Sequence, residues 1–502
     1  MIVSTKHGGR QQAKIFADFT GGLNTAASVE DIAENQLAEV VNMEVDAATG
    51  RLQTVAGTID ILQSENIFAA MYDPINSLIL IVKNDKKIFL ADFKGNISNT
   101  EIGELSGNLY PKYCAWESGI LMASGGQLQY FNGVELKNLD SPNAENVFVR
   151  NGRVVISVDS NLYYSGVGDE NFWQEDNNVE SAAKFVEIGY KDGGKIICAV
   201  PLSQDVLILK SNKHCYRLGG EFPNWQIAQV AENVECSGRL SNCAVGDEVF
   251  VLGANEFQQI QNAFFGNVKP EDIALQVKSE IHKLPQNSQV KFVNPLWQIW
   301  IIGKGGTVLI FDIRLKSWYK RQFNAEIIDV FTVGDEVFLV KSDRISKLDN
   351  GTFKDNGENL NWKFLAQRMV SHNDYLLKRT KVTVTPLNHE IYSGEIFCGK
   401  VKIALPIPSR ALKIADSENR IFNNETKINF KGRNRGQMLP QLPNADIFKN
   451  KNEYDERQKV FANNKFEIVS RNVFRSHYLD VGGAGTGGRF ILNSIVMDIA
   501  EV

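Results

Sequence analysis

The stretch NSLILIVKNDKKIFLADF, from Asn76 to Phe93, decides the fold of this chain because its pattern returns repeatedly as far as Asp349. An apolar run of residues that favour a pleated surface comes first, then a polar turn, then a second alternating run. Six later stretches repeat the pattern: GILMASGGQLQYF from Gly119, GRVVISVDSNLYYSG from Gly152, DVLILKSNKHCYRLGG from Asp205, DEVFVLGANEFQQIQ from Asp247, WQIWIIGKGGTVLIFD from Trp297 and DEVFLVKSDRISKLD from Asp335.

Each repeated stretch predicts a β-hairpin. Turn dipeptides such as Asn84-Asp85, Gly125-Gly126 and Gly305-Gly306 supply the residues that tight hairpins need. A two-stranded hairpin cannot bury its own apolar face, whereas four-stranded blades packed radially can. The stretches begin roughly 33 to 53 residues apart, around the spacing of propeller blades. We therefore predict an all-β chain with a β-propeller of six or seven blades; a series of β-sandwiches is the alternative.

Composition restricts the class of protein further. The 502 residues are enough for two or three domains, and the formal net charge of −5 lacks the basic excess of proteins that grip DNA. Any contact with nucleic acid should therefore be weak and non-specific. No apolar run is long enough to span a membrane, and the N-terminus has no signal-type segment, so we expect a cytoplasm-made protein. The six cysteines form no CxxC pair and are expected to be small buried hydrophobes.

Three parts follow along the chain. Residues 1–60 are an N-terminal arm, residues 61–350 the propeller, and residues 351–502 a C-terminal β region. The arm and the C-terminal region each have too few strands to bury a core alone, so we predict that they pack together as one β-rich platform. The polar run Lys431–Lys459 is predicted to be an exposed extension of that platform.

Within the arm, the pattern also predicts a short helix. Leu37, Val40 and Val41 share one side of a helix that would start near Asn35.

No stretch carries a recognisable catalytic or cofactor motif. GGAGTGG (Gly482–Gly488) lacks the Gly-Lys-Ser/Thr ending of a phosphate loop and precedes a strand, so it is predicted to be a hairpin turn. The pairs Asp247-Glu248 and Asp335-Glu336 both occur in the repeated phrase VGDEVF, which favours a turn role over a glycosidase pair. The histidines are isolated. We predict no enzyme activity, no catalytic residue, no metal and no cofactor.

The tryptophans cluster around one repeat, at Trp297, Trp300 and Trp318. Packing between blades explains such a cluster, and exposure in a subunit interface is the alternative.

The arm carries three motifs in a fixed order. They are Phe-x-x-Phe-x-Gly-Gly-Leu-Asn (Phe16, Phe19, Gly21, Gly22, Leu23, Asn24), Asn-Gln-x-x-Glu-x-x-Asn-Met (Asn35, Gln36, Glu39, Asn42, Met43) and Gly-x-Leu-x-x-x-x-Gly (Gly50, Leu52, Gly57). This order resembles the N-terminus of tail nozzle proteins of short-tailed phages, also called tail tubular protein B. Three further stretches resemble the same family: Tyr163–Trp173, Ile196–Gly219 continued by Cys236–Phe257, and Gly482–Ile499. The run Lys431–Lys459 has no counterpart in the family pattern.

The resemblance implies a structural component of a short phage tail, located in the virion and assembled in the host cytoplasm. Such proteins form a homo-oligomeric ring, typically a hexamer, below the portal and its adaptor ring. They continue and close the DNA ejection channel, let genomic DNA pass without sequence-specific contact, and dock tail fibres or spikes. No membrane partner is implied.

Two other functions stay open from the residues alone, a carbohydrate-binding or carbohydrate-active propeller and a propeller scaffold or adaptor protein. We predict that the charged extension supplies a gate or partner contact. Its candidate residues are Lys431, Arg433, Arg435, Met438 and Leu439.

Overall fold

The computed structural model describes residues 11–176, 178–261, 270–388, 390, 393–405, 466–470 and 473–501. Regular structure in this part of the chain is overwhelmingly β-strand, as predicted. Among the described residues, helical structure occurs in two 3₁₀ turns and one short α-helix: Leu275–Val277, Asn294–Leu296 and α1 (Lys278–Ile281). None of the helices in these described ranges is long and apolar enough to cross a membrane.

Six strands begin within the described residues of the arm, and the last of them continues into the propeller. They are β1 (Gln11–Phe16), β2 (Gly22–Leu23), β3 (Gln36–Val41), β4 (Met43–Asp46), β5 (Arg51–Thr54) and β6 (Gly57–Gln63).

Seven four-stranded sheets follow and form the blades of a β-propeller. Blade 1 comprises β7 (Ile67–Asp73), β8 (Leu78–Lys83), β9 (Lys87–Ala91) and β10 (Ile97–Glu104); blade 2 comprises β11 (Lys112–Trp116), β12 (Gly119–Ala123), β13 (Gln127–Phe131) and β14 (Leu136–Asn143). Blade 3 comprises β15 (Asn146–Arg150), β16 (Arg153–Val158), β17 (Asn161–Tyr164) and β18 (Lys184–Glu187); blade 4 comprises β19 (Ile196–Pro201), β20 (Val206–Lys210), β21 (Cys215–Gly219) and β22 (Gln226–Ala231).

Three more blades complete the set. Blade 5 comprises β23 (Asn242–Val245), β24 (Glu248–Leu252), β25 (Phe257–Gln261) and β26 (Glu271–Asp272); blade 6 comprises β27 (Val290–Val293), β28 (Gln298–Ile302), β29 (Thr307–Asp312) and β30 (Ser317–Gln322). Blade 7 comprises β31 (Ile327–Val333), β32 (Glu336–Lys341), β33 (Arg344–Asp349) and the earlier strand β6. The seven repeated stretches of sequence each form the two middle strands of one blade, so the fold prediction is confirmed with seven blades.

The ring of blades is closed by an early strand. β6 precedes every other propeller strand in the chain, yet it lies beside β33 as the outermost strand of blade 7. The first strands of the last and first blades, β31 and β7, also contact each other. Closure of this kind leaves few exposed sheet edges and joins the two ends of the repeat.

Apolar side chains of facing blades fill the spaces between the sheets. Ala69 and Met71 of blade 1 pack with Ile120 and Met122 of blade 2 in one such cluster. All four side chains are fully buried. Second strands such as β8, β12 and β20 are apolar on both faces because each blade is covered by a neighbour on both sides.

The described residues of the C-terminal region form ten strands. They are β34 (Lys354–Asp355), β35 (Glu358–Asn359), β36 (Asn361–Ala366), β37 (Met369–Pro386), β38 (Ser393–Cys398), β39 (Val401–Ala404), β40 (Phe466–Ser470), β41 (Phe474–Leu479), β42 (Val481–Thr486) and β43 (Phe490–Glu501).

Strands from both ends of the chain share two sheets. One sheet has the order β4-β5-β43-β37-β40, with β1 also paired to β43 and β41 also paired to β37. The other has the order β2-β3-β36-β42-β38-β39. This is the predicted β-rich platform built from the arm and the C-terminal region.

The chain forms two compact units. The platform unit holds Met1–Ile59, Phe311–Asn324 and Asp349–Val502, and the propeller unit holds Asp60–Ile310 and Ala325–Leu348.

Two local predictions are wrong. Residues 36–41 form strand β3 instead of a helix, because Leu37 and Val40 are buried where β3 pairs with β36. The glycine-rich stretch is mostly strand β42, not a hairpin turn; only Gly487 and Gly488 adopt the positive φ of a turn. The strand needs glycine because a Cβ on Gly485 would lie 2.2 Å from the Ser393 carbonyl oxygen.

Candidate functional site

One cavity of the propeller unit lies where the first strands of five blades begin. It has a volume of about 750 Å³, within the range of small-molecule sites. Five of its lining residues each come one or two positions before the first strand of a blade. In the order of the strands β11, β15, β19, β23 and β27, they are Tyr110, Glu145, Lys195, Leu240 and Gln289. The repeat therefore brings equivalent positions of successive blades around one opening.

Arg239 ties three blades together at this opening. It stands before blade 5, and its guanidinium donates to the carbonyl oxygen of Glu145 at 2.5 Å and to that of Tyr110. These carbonyls precede blades 3 and 2. Burial lowers the pKa of Arg239, and the nearby Glu145 carboxylate acts in the opposite direction. Since an arginine keeps its charge in proteins, Arg239 presents a fixed cation at the cavity.

A second cation in this region is held by a carboxylate. Lys291 lies 2.8 Å from Asp329, whose other oxygen accepts a hydrogen bond from the Tyr110 hydroxyl at 2.6 Å. Burial lowers the pKa of Lys291, but Asp329 and the surrounding groups reverse this, so its net pKa is raised. Burial and the Asp329 charge together raise the pKa of Tyr110 well above its usual value. Lys291 thus keeps its charge, and the neutral phenol of Tyr110 donates to the same carboxylate.

Lys112 lacks such a partner. Its ammonium donates to the Asn146 side-chain oxygen at 3.2 Å, and among the described residues it forms no ion pair. Burial lowers the pKa of Lys112. The Gln289 side-chain oxygen is buried at the cavity and accepts no hydrogen bond within the described chain. The cavity lining itself carries both signs of charge, with Arg239 and Lys195 beside Glu145 and Asp159, so the cavity can hold a small polar molecule.

A separate buried network joins the edge of blade 3 to blade 4. The Lys210 ammonium donates to Asp192 and to the Ile188 carbonyl, both at 2.6 Å, and the Tyr216 hydroxyl donates to Asp192 at 3.0 Å. Burial alone would raise the pKa of Asp192, but hydrogen bonds from Lys210, the Gly194 amide and Tyr216 lower it to about 2. The network fixes the loop before blade 4.

The carboxylate pairs from the repeated phrase each have local partners. Asp247 accepts a hydrogen bond from the Ser203 hydroxyl at 2.6 Å, and Glu336 forms an ion pair with Lys347 at 2.7 Å. The glycines before both pairs have positive φ, as turns require. In the described ranges, no group of three or more His, Cys, Asp or Glu side chains is arranged to hold a metal.

The tryptophan cluster divides by burial. Trp300 and Trp318 are buried, whereas Trp297 is half exposed at a left-handed backbone position beside Phe292. Four cysteines are buried and two are partly exposed, and none of them forms a disulfide.

The predicted contact residues Lys431, Arg433, Arg435, Met438 and Leu439 lie outside the described residues. The cavity residues were missed at the sequence level. What these residues share is their position one or two residues before the first strand of a blade. This position can be recognised only after the boundaries of the blades are known.

No family model matches the chain, and no curated protein matches it significantly. Among solved structures it is similar to BamB from Moraxella catarrhalis, with 9% identity and a TM-score of 0.40 over 62% of this chain and 92% of that one. It is also similar to the N-terminal domain of Nup159, with 10% identity and a TM-score of 0.40 over 61% and 97% of the two chains. At these values the neighbours carry no argument about function, and the fold rests on the chain's own sheets.

Proposed function

We propose that the chain is a structural protein of a short phage tail that assembles into a homohexameric ring of the tail nozzle type. The observation that carries the proposal is the resemblance of the arm to that family, taken with the positions of the matching residues. Phe19, Leu23 and Met43 are buried in the platform unit. The motif residues thus have structural roles that explain why these residue types are needed.

Asn42 illustrates such a role. It is buried with a left-handed φ of 54°, and its side-chain amide donates to the carbonyls of Gln322 and Asn361 at 3.0 and 2.7 Å. Its side-chain oxygen accepts the Gln322 amide at 2.8 Å. Asparagine tolerates this backbone conformation better than most residues and supplies both donor and acceptor.

Gly57 illustrates a second structural role of a motif residue. A Cβ at this position would lie 2.5 Å from the Lys354 amide nitrogen and 2.6 Å from the Lys354 carbonyl oxygen. Only glycine lets the two backbones approach so closely, so the last glycine of the motif has a packing reason inside the platform unit.

In the proposed tail, the ring lies below the portal and adaptor, continues and closes the channel for DNA ejection, and docks fibres or spikes. A net charge of −5 supports this role, because a wall that attracted phosphate would slow the passage of DNA. The protein would then be a virion component assembled in the host cytoplasm, with no enzymatic activity.

The test is the assembly state of the full chain. We expect sedimentation and electron microscopy to show a ring of about 337 kDa, six times the 56.1 kDa chain, on mixing with a tail particle that lacks its terminal ring. The matched control replaces Asn42 by Ala, which should weaken the platform and reduce ring formation. A chain that stays monomeric on such particles would overturn the proposal and favour a scaffold protein. Glycan cleavage or glycan binding by the monomer would favour the carbohydrate alternative.

A further inference from the structure

The connection between β17 and β18 exposes apolar side chains. This blade 3 loop spans residues 165–183 and is the longest strand connection within that blade. Four large apolar side chains on it and on β18 are more than one-third exposed: Val167 at 52%, Phe172 at 40%, Val179 at 46% and Phe185 at 45%. A concentration of exposed apolar side chains on a soluble surface indicates an interaction site.

A groove lies beside this loop. It has a volume of about 480 Å³ and separates the end of β14, the last strand of blade 2, from the blade 3 loop. Its walls are Asp140, Ser141 and Pro142 on one side and Asn171, Phe172, Trp173 and Gln174 on the other. The groove is open and shallow, a shape that suits an extended chain.

Hydrogen bonds hold the groove in shape. The Asn171 side-chain oxygen accepts the Asp140 amide at 2.8 Å, which joins the loop to blade 2. The Trp173 indole donates to the Glu170 carbonyl at 2.8 Å, and the Trp116 indole donates to the Glu170 carboxylate at 3.1 Å. The site is therefore preorganised, which lowers the entropy cost of binding.

The aromatic rings share one side of blade 3. Trp173 and Tyr163 pack against the apolar core between blades 2 and 3, and Phe185 stacks on Tyr163 with ring centroids 5.9 Å apart. Their outer faces are available because Tyr163 and Trp173 are partly exposed and Phe185 is nearly half exposed. Such faces attract the guanidinium of arginine and the ammonium of lysine.

The exposed charges of the blade 3 side of this surface, residues 166–187, are all negative. Five carboxylates of residues 166–187 are exposed: Asp169, Glu175, Asp176, Glu180 and Glu187. The single cation of that stretch, Lys184, is buried, and its ammonium donates to the carbonyls of Asp176 and Val179. The surface therefore offers apolar and acidic groups without an exposed lysine or arginine from the same stretch.

We propose that this groove binds an extended segment of a partner protein in which arginine or lysine residues alternate with apolar ones. The apolar side chains fill the space between Pro142 and Trp173, and the cations meet the carboxylates and the aromatic faces. Nucleic acid is repelled by the same carboxylates, and the excess of negative charge favours a cationic peptide over a neutral sugar. The proposal does not depend on the role in a phage tail.

The experiment uses the full chain and a fluorescent peptide of alternating arginine and leucine, with a glutamate–leucine peptide of equal length as comparison. Fluorescence anisotropy at physiological ionic strength should show binding of the arginine peptide and much weaker binding of the glutamate peptide. The double variant Glu175→Lys/Asp176→Lys should raise Kd by about tenfold, equivalent to about 1.4 kcal/mol. Phe172→Ala/Phe185→Ala should weaken binding at unchanged charge and lower the melting temperature only slightly, because both rings are partly exposed.

A matched charge control is available on other blades. Asp85→Lys/Asp335→Lys makes the same change in net charge at two exposed turns, in blades 1 and 7, and should leave Kd within about twofold. If this control variant raised Kd as much as Glu175→Lys/Asp176→Lys does, the binding would be general charge attraction and the proposal would be overturned. Absence of peptide binding would overturn it too. Glycan-array binding that is lost in Phe172→Ala/Phe185→Ala would instead assign the groove to a sugar.

Discussion

The buried pair between Lys210 and Asp192 gives the sharpest test of how blade 4 is stabilised. The Lys210 side chain is fully buried, and the Asp192 side chain is 11% exposed. Replacing Asp192 by Ala leaves the ammonium with the Ile188 carbonyl as its remaining described acceptor. A buried charge that loses its partner cannot regain its hydration without opening the structure.

The expected cost follows from this burial. Breaking a buried ion pair from one side costs about 3–5 kcal/mol, and we expect about 3 kcal/mol because Asp192 is reached by some water. Asp192→Asn keeps an acceptor but removes the charge, and should cost about 2 kcal/mol. The double variant Lys210→Met/Asp192→Ala replaces the charge by an apolar chain of similar length and should recover most of the loss.

The pH dependence has a definite sign. The pKa of Asp192 falls from an ordinary 3.8 to about 2 on folding, so its stabilisation is fully present above about pH 4. It is lost as the pH falls through the folded value. A shift of this size corresponds to about 2 kcal/mol, consistent with the expected cost of Asp192→Asn. The difference between wild type and Asp192→Asn should therefore shrink between about pH 4 and pH 2.

The assay must report on blade 4 itself, because a chain with two compact units need not unfold in one step. We would therefore combine urea titration with hydrogen exchange of the blade 4 strands β19 to β22. The blade 1 strands β7 to β10 serve as the internal reference. If Asp192→Ala lowered the free energy of unfolding by less than about 1 kcal/mol, the reasoning would be refuted, because a buried charge without its partner costs far more. The reasoning would also be refuted if Lys210→Met/Asp192→Ala were no more stable than Asp192→Ala.

Three further outcomes are expected. Gly119→Ala places a Cβ 1.8 Å from the Phe131 carbonyl oxygen and should cost about 3 kcal/mol in urea unfolding, whereas Gly168→Ala meets nothing within 4 Å and should cost about 1 kcal/mol from its positive φ. Deleting residues 1–29 removes β1 from β43 and should speed proteolysis of residues 351–502 but not of the propeller; equal cleavage rates would contradict this. Burial raises the pKa of Cys398 to about 12, so iodoacetamide at pH 8 should alkylate it about a thousandfold more slowly than a free thiol until the protein is denatured. Rapid native labelling of Cys398 would count against its burial.

The repeated hairpins could be predicted because their determinants are local. Each stretch from Asn76–Phe93 onward carries its own apolar runs and its own turn residues, and all seven became the middle strands of blades. The helix prediction near Asn35 failed for the opposite reason. Leu37 and Val40 fit a helix locally, but strand β36, which pairs with β3, follows only after the whole propeller sequence.

The same distinction applies to the glycine-rich stretch. Its composition predicts a turn, yet Gly482 to Gly485 lie in strand β42 between β36 and β38. A Cβ on Gly483 would lie 2.8 Å from the Phe364 ring. Neighbouring strands and their aromatic side chains, not turn chemistry, require glycine there. The sequence contains the partner residues but not the register that brings them together.

The sequence by itself determined the all-β class, the hairpin unit and the number of repeats, because backbone preference and alternation act over a few residues. The tertiary structure decided everything that joins distant segments. It set β6 beside β33, placed the arm strands on β43, and brought Tyr110, Glu145 and Arg239 to one cavity. It also set Asp140 against Asn171 to form the blade 2 and blade 3 groove. Such pairings depend on loop closure and on complementary surfaces, which no local pattern of residues encodes.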